Sequence, residues 1–249
     1  MPLKPSLLAT ETLEVPEGKY PLSPYLGGIT KVSAFDMDRF PISVAQYAQF
    51  IADGGYEDYE YWSDDGWYWL QTEGIQSPRF WNGENPSDDK MFNSVQGDLL
   101  AEFVEPTKPV IGVSWYEADA FCRFYNRQLP TEIQWEAAAR GPQGNTYPWG
   151  DTWLSTGIGA WGNRSHSKRV TAAIGQFPES KGPFGHEDLV GNIWQWTSSP
   201  WDSSPSSERL AAKGGSWGSS ASQCNTSARN GFHPTDQWTH VGFRTIALK

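Results

Sequence analysis

A chain of 249 residues with net charge −10 and only two cysteines can bury a full core without covalent staples. Its acidity excludes a nucleic-acid surface, which needs clustered Lys and Arg to displace counterions. No stretch reaches the roughly 20 apolar residues of a membrane span, and Leu7-Leu8-Ala9 is too short for a signal-peptide core. The expectation is a cytoplasmic chain without membrane insertion, in which Cys122 and Cys224 stay reduced.

The predicted elements are short and set among loops. With 14 Trp, 25 Gly and 18 Pro, the core is expected to be filled by large aromatics rather than by long helices. Residues 1–40 read as strands punctuated by Gly18, Pro21, Pro24 and Gly27-Gly28, ending in Ile29–Phe35. Ser43 caps a helix with Val44, Tyr47, Ala48 and Ile51 on one face, and Gly54-Gly55 stops it. Residues 56–108 form an aromatic, acidic insertion with a short helix at Gly66–Leu70, whose rings mostly fill core.

Ser114-Trp-Tyr-Glu117 is a capping box opening a helix with Trp115, Ala118, Cys122 and Tyr125 on one face. Thr131-Glu-Ile-Gln134 repeats that logic after Pro130, and Arg140-Gly141 ends the helix. Beyond it, Gly, Pro, Ser and Trp dominate, with short strand-like pieces such as Val170–Ile174 and Gly242–Leu248. Glu132, Glu136 and Asp151 follow helix and turn signals, and capping with surface solvation accounts for them. No linker appears, so residues 1–249 are expected to form a single domain.

Several pieces carry a resemblance. They are Phe40–Tyr47, Val113–Ala118, Leu129–Glu136 running into Ala139-Arg-Gly141, Tyr147–Asp151, Asp188–Thr197, Gly214–Trp217 and Val241–Arg244. In this order and spacing they resemble the formylglycine-generating-enzyme (sulfatase-modifying factor) family. The resemblance implies a C-type-lectin-like α+β fold, with Gly214–Trp217 and Val241–Arg244 on core strands bracketing an exposed segment, Gly218–His240. The residues suit such anchoring: Gly214-Gly215 lets backbone pass closely, Trp217 plugs the core, and Arg244 is a buried fork for carbonyls or a carboxylate.

The resemblance spans several trades, and fold alone does not choose among them. The family's oxidases hold copper with two cysteine thiolates five residues apart, at positions matched here by Ser219 and Cys224. A hydroxyl cannot replace a soft thiolate toward copper(I), so copper is disfavoured. An oxidase or oxygenase with an altered copper site at Ser219 and Cys224 remains the alternative. Cys122 matches a cysteine of a family disulfide, but its partner position is Thr245. The family's iron-dependent sulfoxide synthases use a histidine triad drawn largely from an N-terminal helical domain. His166, His186, His233 and His240 show no H-x-x-x-H spacing, and that trade is set aside. A family calcium turn is matched by Asp188, Gly191, Ile193 and Gln195, where Gln195 replaces a glutamate and lowers the expected affinity. Calcium is thus a candidate, and no cofactor is required.

The third trade is ligand binding, including the variable proteins of diversity-generating retroelements, whose altered residues lie between these two anchors. The candidate ligand-binding residues are Gly218, Ser219, Ser220, Ser222, Gln223, Asn225, Ser227, Asn230, Phe232, His233, Thr235, Gln237, Trp238 and His240. Phe232 and Trp238 are expected to be exposed aromatic anchors, with adaptable polar groups between them. The expected function is non-catalytic recognition of a protein or other macromolecule through Gly218–His240.

Overall fold

The computed structural model describes residues 9–81, 100–154, 170–204 and 206–247. The expectations placed on residues 1–8, on 82–99 of the insertion and on His166 lie outside these.

Strand β1 (Thr12–Val15) pairs antiparallel with β4 (Phe35–Asp38), and the hairpin β2 (Gly18–Pro21) and β3 (Ile29–Val32) intervenes. The C-terminal strand β10 (Ile246–Ala247) inserts between β4 and β5 (Arg127–Gln128), giving the order β1-β4-β10-β5. Both ends of the chain thus close one sheet. The second sheet holds β6 (Trp194–Pro200), β7 (Leu210–Lys213), β8 (Arg229–Phe232) and β9 (Val241–Gly242) in the order β8-β7-β6-β9, with β9 parallel to β6.

Among the described residues, five helices pack around these sheets: α1 (Val44–Ala52), α2 (Asp64–Glu73), α3 (Leu100–Phe103), α4 (Trp115–Phe124) and α5 (Glu132–Arg140). The capping boxes at Ser114 and Thr131 form as read, and Ser43 makes another with Gln46. Helix α1 buries Val44, Tyr47 and Phe50, whereas Ala48 is exposed and Ile51 half-buried. Phe50 wins because its ring fits among Tyr47, Phe121 and Phe124, at centroid distances of 5.2–5.4 Å. Helix α2 is longer than the Gly66–Leu70 expectation, since Ser63 caps it and Gly74 ends it in a left-handed turn. Val170–Ile174 is not a strand. The Asn192 side chain brackets Ala172 through both its backbone groups, replacing a neighbouring strand.

Glu132 and Glu136 are buried, contrary to the solvated reading. Glu136 accepts from Ser23 N and Oγ and pairs with the fully buried Lys213 at 2.9 Å. Glu132 holds Arg229, whose guanidinium also stacks on Tyr25 and Trp201. The acids serve an internal ion network joining α5 to the second sheet.

Candidate functional site

The segment Gly218–His240 hangs between rigid anchors. Gly214 and Gly215, at φ 97° and 77°, lie just past β7 rather than on a strand. A Cβ on Gly214 would strike the Leu189 carbonyl, and one on Gly215 would meet Cys224 Sγ at 2.8 Å. Trp217 is buried and donates its indole N–H to Thr239 O at 3.0 Å, so one end of the segment is clamped to the other. Arg244 is fully buried and donates to the carbonyls of Asp38, Arg39, Glu187 and Asp188 and to Gln195 Oε1.

Between the anchors the residues divide by exposure. Ser220, Ser222 and Gln223 are exposed on a short helical turn, while Gly218, Asn225, Ser227 and Asn230 are half-buried. Gln223 caps Ser220, Asn225 bonds Ser222 O and Ser227 N, and Ser227 Oγ accepts from Arg140. Phe232 is not an exposed anchor. It is 8% exposed, because β8 pairs with β7 and turns the ring edge-on to Trp196. His240 is buried against Phe232 and Trp238, and Trp238 is itself half-buried. Ser219 is also buried and spends its hydroxyl on Ser216 N. Gln237 turns inward to the buried Glu117. The outward-facing remainder near the segment's end is His233 and Thr235.

Those residues form one wall of a cleft of about 660 Å³. Glu208, Leu210, His233, Pro234 and Thr235 lie on that side, and Asp65, Tyr68, Trp69, Thr72 and Glu73 of α2 face them. The floor is Trp115 and Tyr116 of α4. His233 Nδ1 contacts Thr235 Oγ1 at 2.7 Å, and its Nε2 meets Glu208 Oε2 at 2.8 Å. The wall is fixed to the floor because Pro234 O accepts from Trp115 N, a free amide of the first turn of α4. Trp115 in turn donates its indole N–H to Thr197 O, and Trp69 tilts onto Tyr116 at 5.9 Å. Burial raises the Tyr116 hydroxyl, with Asp65 and Glu208 adding negative field.

The two family metal positions are otherwise engaged. Cys224 is fully buried, its Sγ is 3.9 Å from Ser216 O, and burial pushes the thiol up to about 12. At the calcium turn, Trp135 Nε1 and Arg244 Nε both donate to one atom of the Gln195 side chain, which must therefore be its oxygen. Its amide nitrogen then donates to Asp188 O at 2.7 Å and Leu189 O at 3.3 Å. Arg244 also donates to Asp188 O, while Asp188 Oδ2 accepts from Gly175 N. Burial pushes the Asp188 carboxyl up to about 6. The Asp188 carbonyl and the Gln195 side-chain oxygen are already engaged by protein donors, and this pair does not fit a cation demanding free oxygens.

Residues 11–248 match the Sulfatase-modifying factor enzyme 1-like domain. The chain belongs to that family. Its C-type-lectin-like fold agrees with solved structures of similar fold: Treponema denticola variable protein 1 superposes with TM-score 0.65 at 17% identity, covering 95% of this chain and 94% of that one. The CarF crystal structure gives TM-score 0.65 at 16% identity, over 98% and 100%. By sequence, the hercynine oxygenase of Mycolicibacterium thermoresistibile is 31% identical over 87% of this chain and 51% of its own length. The formylglycine-generating enzyme of Mycobacterium tuberculosis is 27% identical, over 96% of this chain and 98% of that protein. The chain spans about half the length of the hercynine oxygenases it matches. Oxygenases and formylglycine-generating enzymes are therefore both represented among the sequence relatives.

What sequence reading of this family member missed is the full length of α2 and its outward aromatic face. Tyr68 is 74% exposed, not core, and Trp69 is half-buried. A signal was present: Asp65, Tyr68, Trp69, Thr72 and Glu73 recur at helical spacing on one face after a Ser63 cap. Glu208 carried no pattern and reaches the cleft only through the β6–β7 connection.

Proposed function

We propose that this chain is a non-catalytic ligand-binding member of its family, recognising a protein or other macromolecule through the cleft between α2 and residues His233–Thr235. The observation that carries this is the pairing of a polar wall with an aromatic floor to which it is anchored. Trp69, Trp115 and Tyr116 offer large apolar faces, and His233 and Thr235 present polar tips against them. Anchors at Gly214–Trp217 and Arg244 let the intervening surface change without unfolding the core. This also supports the retroelement reading, with variation confined to outward positions such as Ser222, Asn225, His233 and Thr235. The oxidase alternative draws less support, because Cys224 is sealed and its thiol held protonated. The free, buried Cys122 and Cys224 suit a reducing, cytoplasmic setting.

The test is selection of binders from a displayed random-peptide library against the folded chain. Binders should be lost in Tyr68→Ala and Thr235→Arg, with both variants retaining the native circular dichroism spectrum. Binders indifferent to both substitutions, or oxygen consumption by copper-loaded protein with a cysteine-bearing peptide, would overturn the reading.

A further inference from the structure

Resting on that binding reading, we propose that the occupant of the α2–α4 cleft is a protein segment presenting arginine or lysine side chains. The acids are distributed around the aromatic surface rather than gathered at one point. Asp65 and Glu73 lie on α2, about two turns apart, and Glu208 lies on the opposite wall. Tyr116 sits between them and feels the negative field of both Asp65 and Glu208. Among the described residues no lysine or arginine lines the cleft, and the ionisable nitrogen group there, His233, is engaged by Glu208.

Aromatic faces flanked by carboxylates make a chemically selective combination. A guanidinium or ammonium group gains from the ring quadrupole and from the acids at once, whereas an anion is repelled by both. Tyr68, Trp69, Trp115 and Tyr116 supply those rings. At about 660 Å³, the cleft has room for several side chains from an extended segment. The chain's net charge of −10 would steer such a partner toward it, and the cleft pairs acidic side chains with aromatic rings.

The experiment uses a short fluorescent Gly/Ser peptide with spaced arginines, and its counterpart in which each arginine is citrulline. Affinity is read by anisotropy at physiological salt, and position by the indole ¹⁵N–H resonances of Trp69 and Trp115. The arginine peptide should bind at least about tenfold more tightly than the citrulline peptide. It should also shift both indole resonances and lose most of that advantage in Asp65→Asn/Glu73→Gln, whose substitutions are on an exposed helix face. Equal binding of both peptides with the same resonances shifted would overturn the cationic occupant while leaving the cleft as a binding site. Arginine-peptide binding that leaves those resonances unmoved, or no binding by either peptide, would overturn the proposal at this cleft.

Discussion

Gln237, on the segment between the anchors, donates its side-chain amide to the buried carboxylate of Glu117 at 2.8 Å. The same carboxylate caps α4 through Ser114 N and accepts from Tyr56 OH at 2.6 Å, which in turn meets Tyr47 OH at 3.0 Å. One acid therefore joins the insertion, α4, α1 and the C-terminal segment. Gln237→Ala should cost about 1–3 kcal/mol, since it strips a donor from a buried charge-bearing group. Urea denaturation would measure that loss, and peptide binding by the still-folded fraction should be little changed.

Burial pushes the Glu117 carboxyl up to about 7, above its ordinary value of 4.5. The folded chain therefore holds this proton more tightly than the unfolded chain. The resulting stability is complete below about pH 4.5 and is lost as pH rises through about 7. Glu117→Gln keeps the cap, and reversal of the Tyr56 hydroxyl toward Tyr47 accommodates the new amide. Relative to wild type, the variant should gain on the order of 3 kcal/mol between acid and mildly alkaline pH. Denaturation midpoints of both proteins across that range supply the check, and parallel curves would contradict the assignment.

Gln195 stands where the family's calcium turn carries a glutamate, and its amide nitrogen donates to Asp188 O and Leu189 O. Wild-type melting should therefore be indifferent to calcium or chelator. Gln195→Glu turns an attractive contact into facing oxygens, so it should melt lower in chelator and recover with added calcium. Differential scanning calorimetry with and without calcium distinguishes the two proteins.

Lys213 and Glu136 form a fully buried pair at 2.9 Å. Lys213→Met strands the acid among Ser23, Tyr25 and Arg140 and should cost roughly 3–5 kcal/mol. The double variant Lys213→Met/Glu136→Gln should recover a good part of that loss. Additive losses in a chemical-denaturation cycle would show that the two groups do not act as a pair.

Cys122 and Cys224 are both free and buried, and burial raises both thiols well above their usual range. A disulfide reagent such as DTNB should label the native chain only slowly at mildly alkaline pH. It should label both cysteines promptly in guanidinium chloride. Rapid native labelling of Cys224 would revive the oxidase alternative.

The helices were legible where local chemistry is self-contained. Ser114 with Glu117 and Thr131 with Gln134 satisfy amides three residues away, so sequence spacing alone specifies the caps. The Gly214-Gly215 and Arg244 anchors were legible because few residue types tolerate positive φ or offer a buried guanidinium fork. Exposure was not legible. Phe232 looks like an interface anchor in sequence, but pairing of β8 with β7 points it at Trp196. Ser219, His240 and Gln237 likewise face inward because of partners far away in the chain or across a tight turn.

By itself the sequence determined the family's fold and the two anchors, because caps, glycine turns and a buried arginine are written in local patterns. Only the tertiary structure decided which residues face outward and which surfaces meet. The cleft exists because Pro234 O docks on Trp115 N while α2, more than 150 residues earlier in the chain, lays Trp69 on Tyr116. No local pattern records a contact between surfaces so distant in sequence, since its free energy is gained only after the chain has closed the intervening loops.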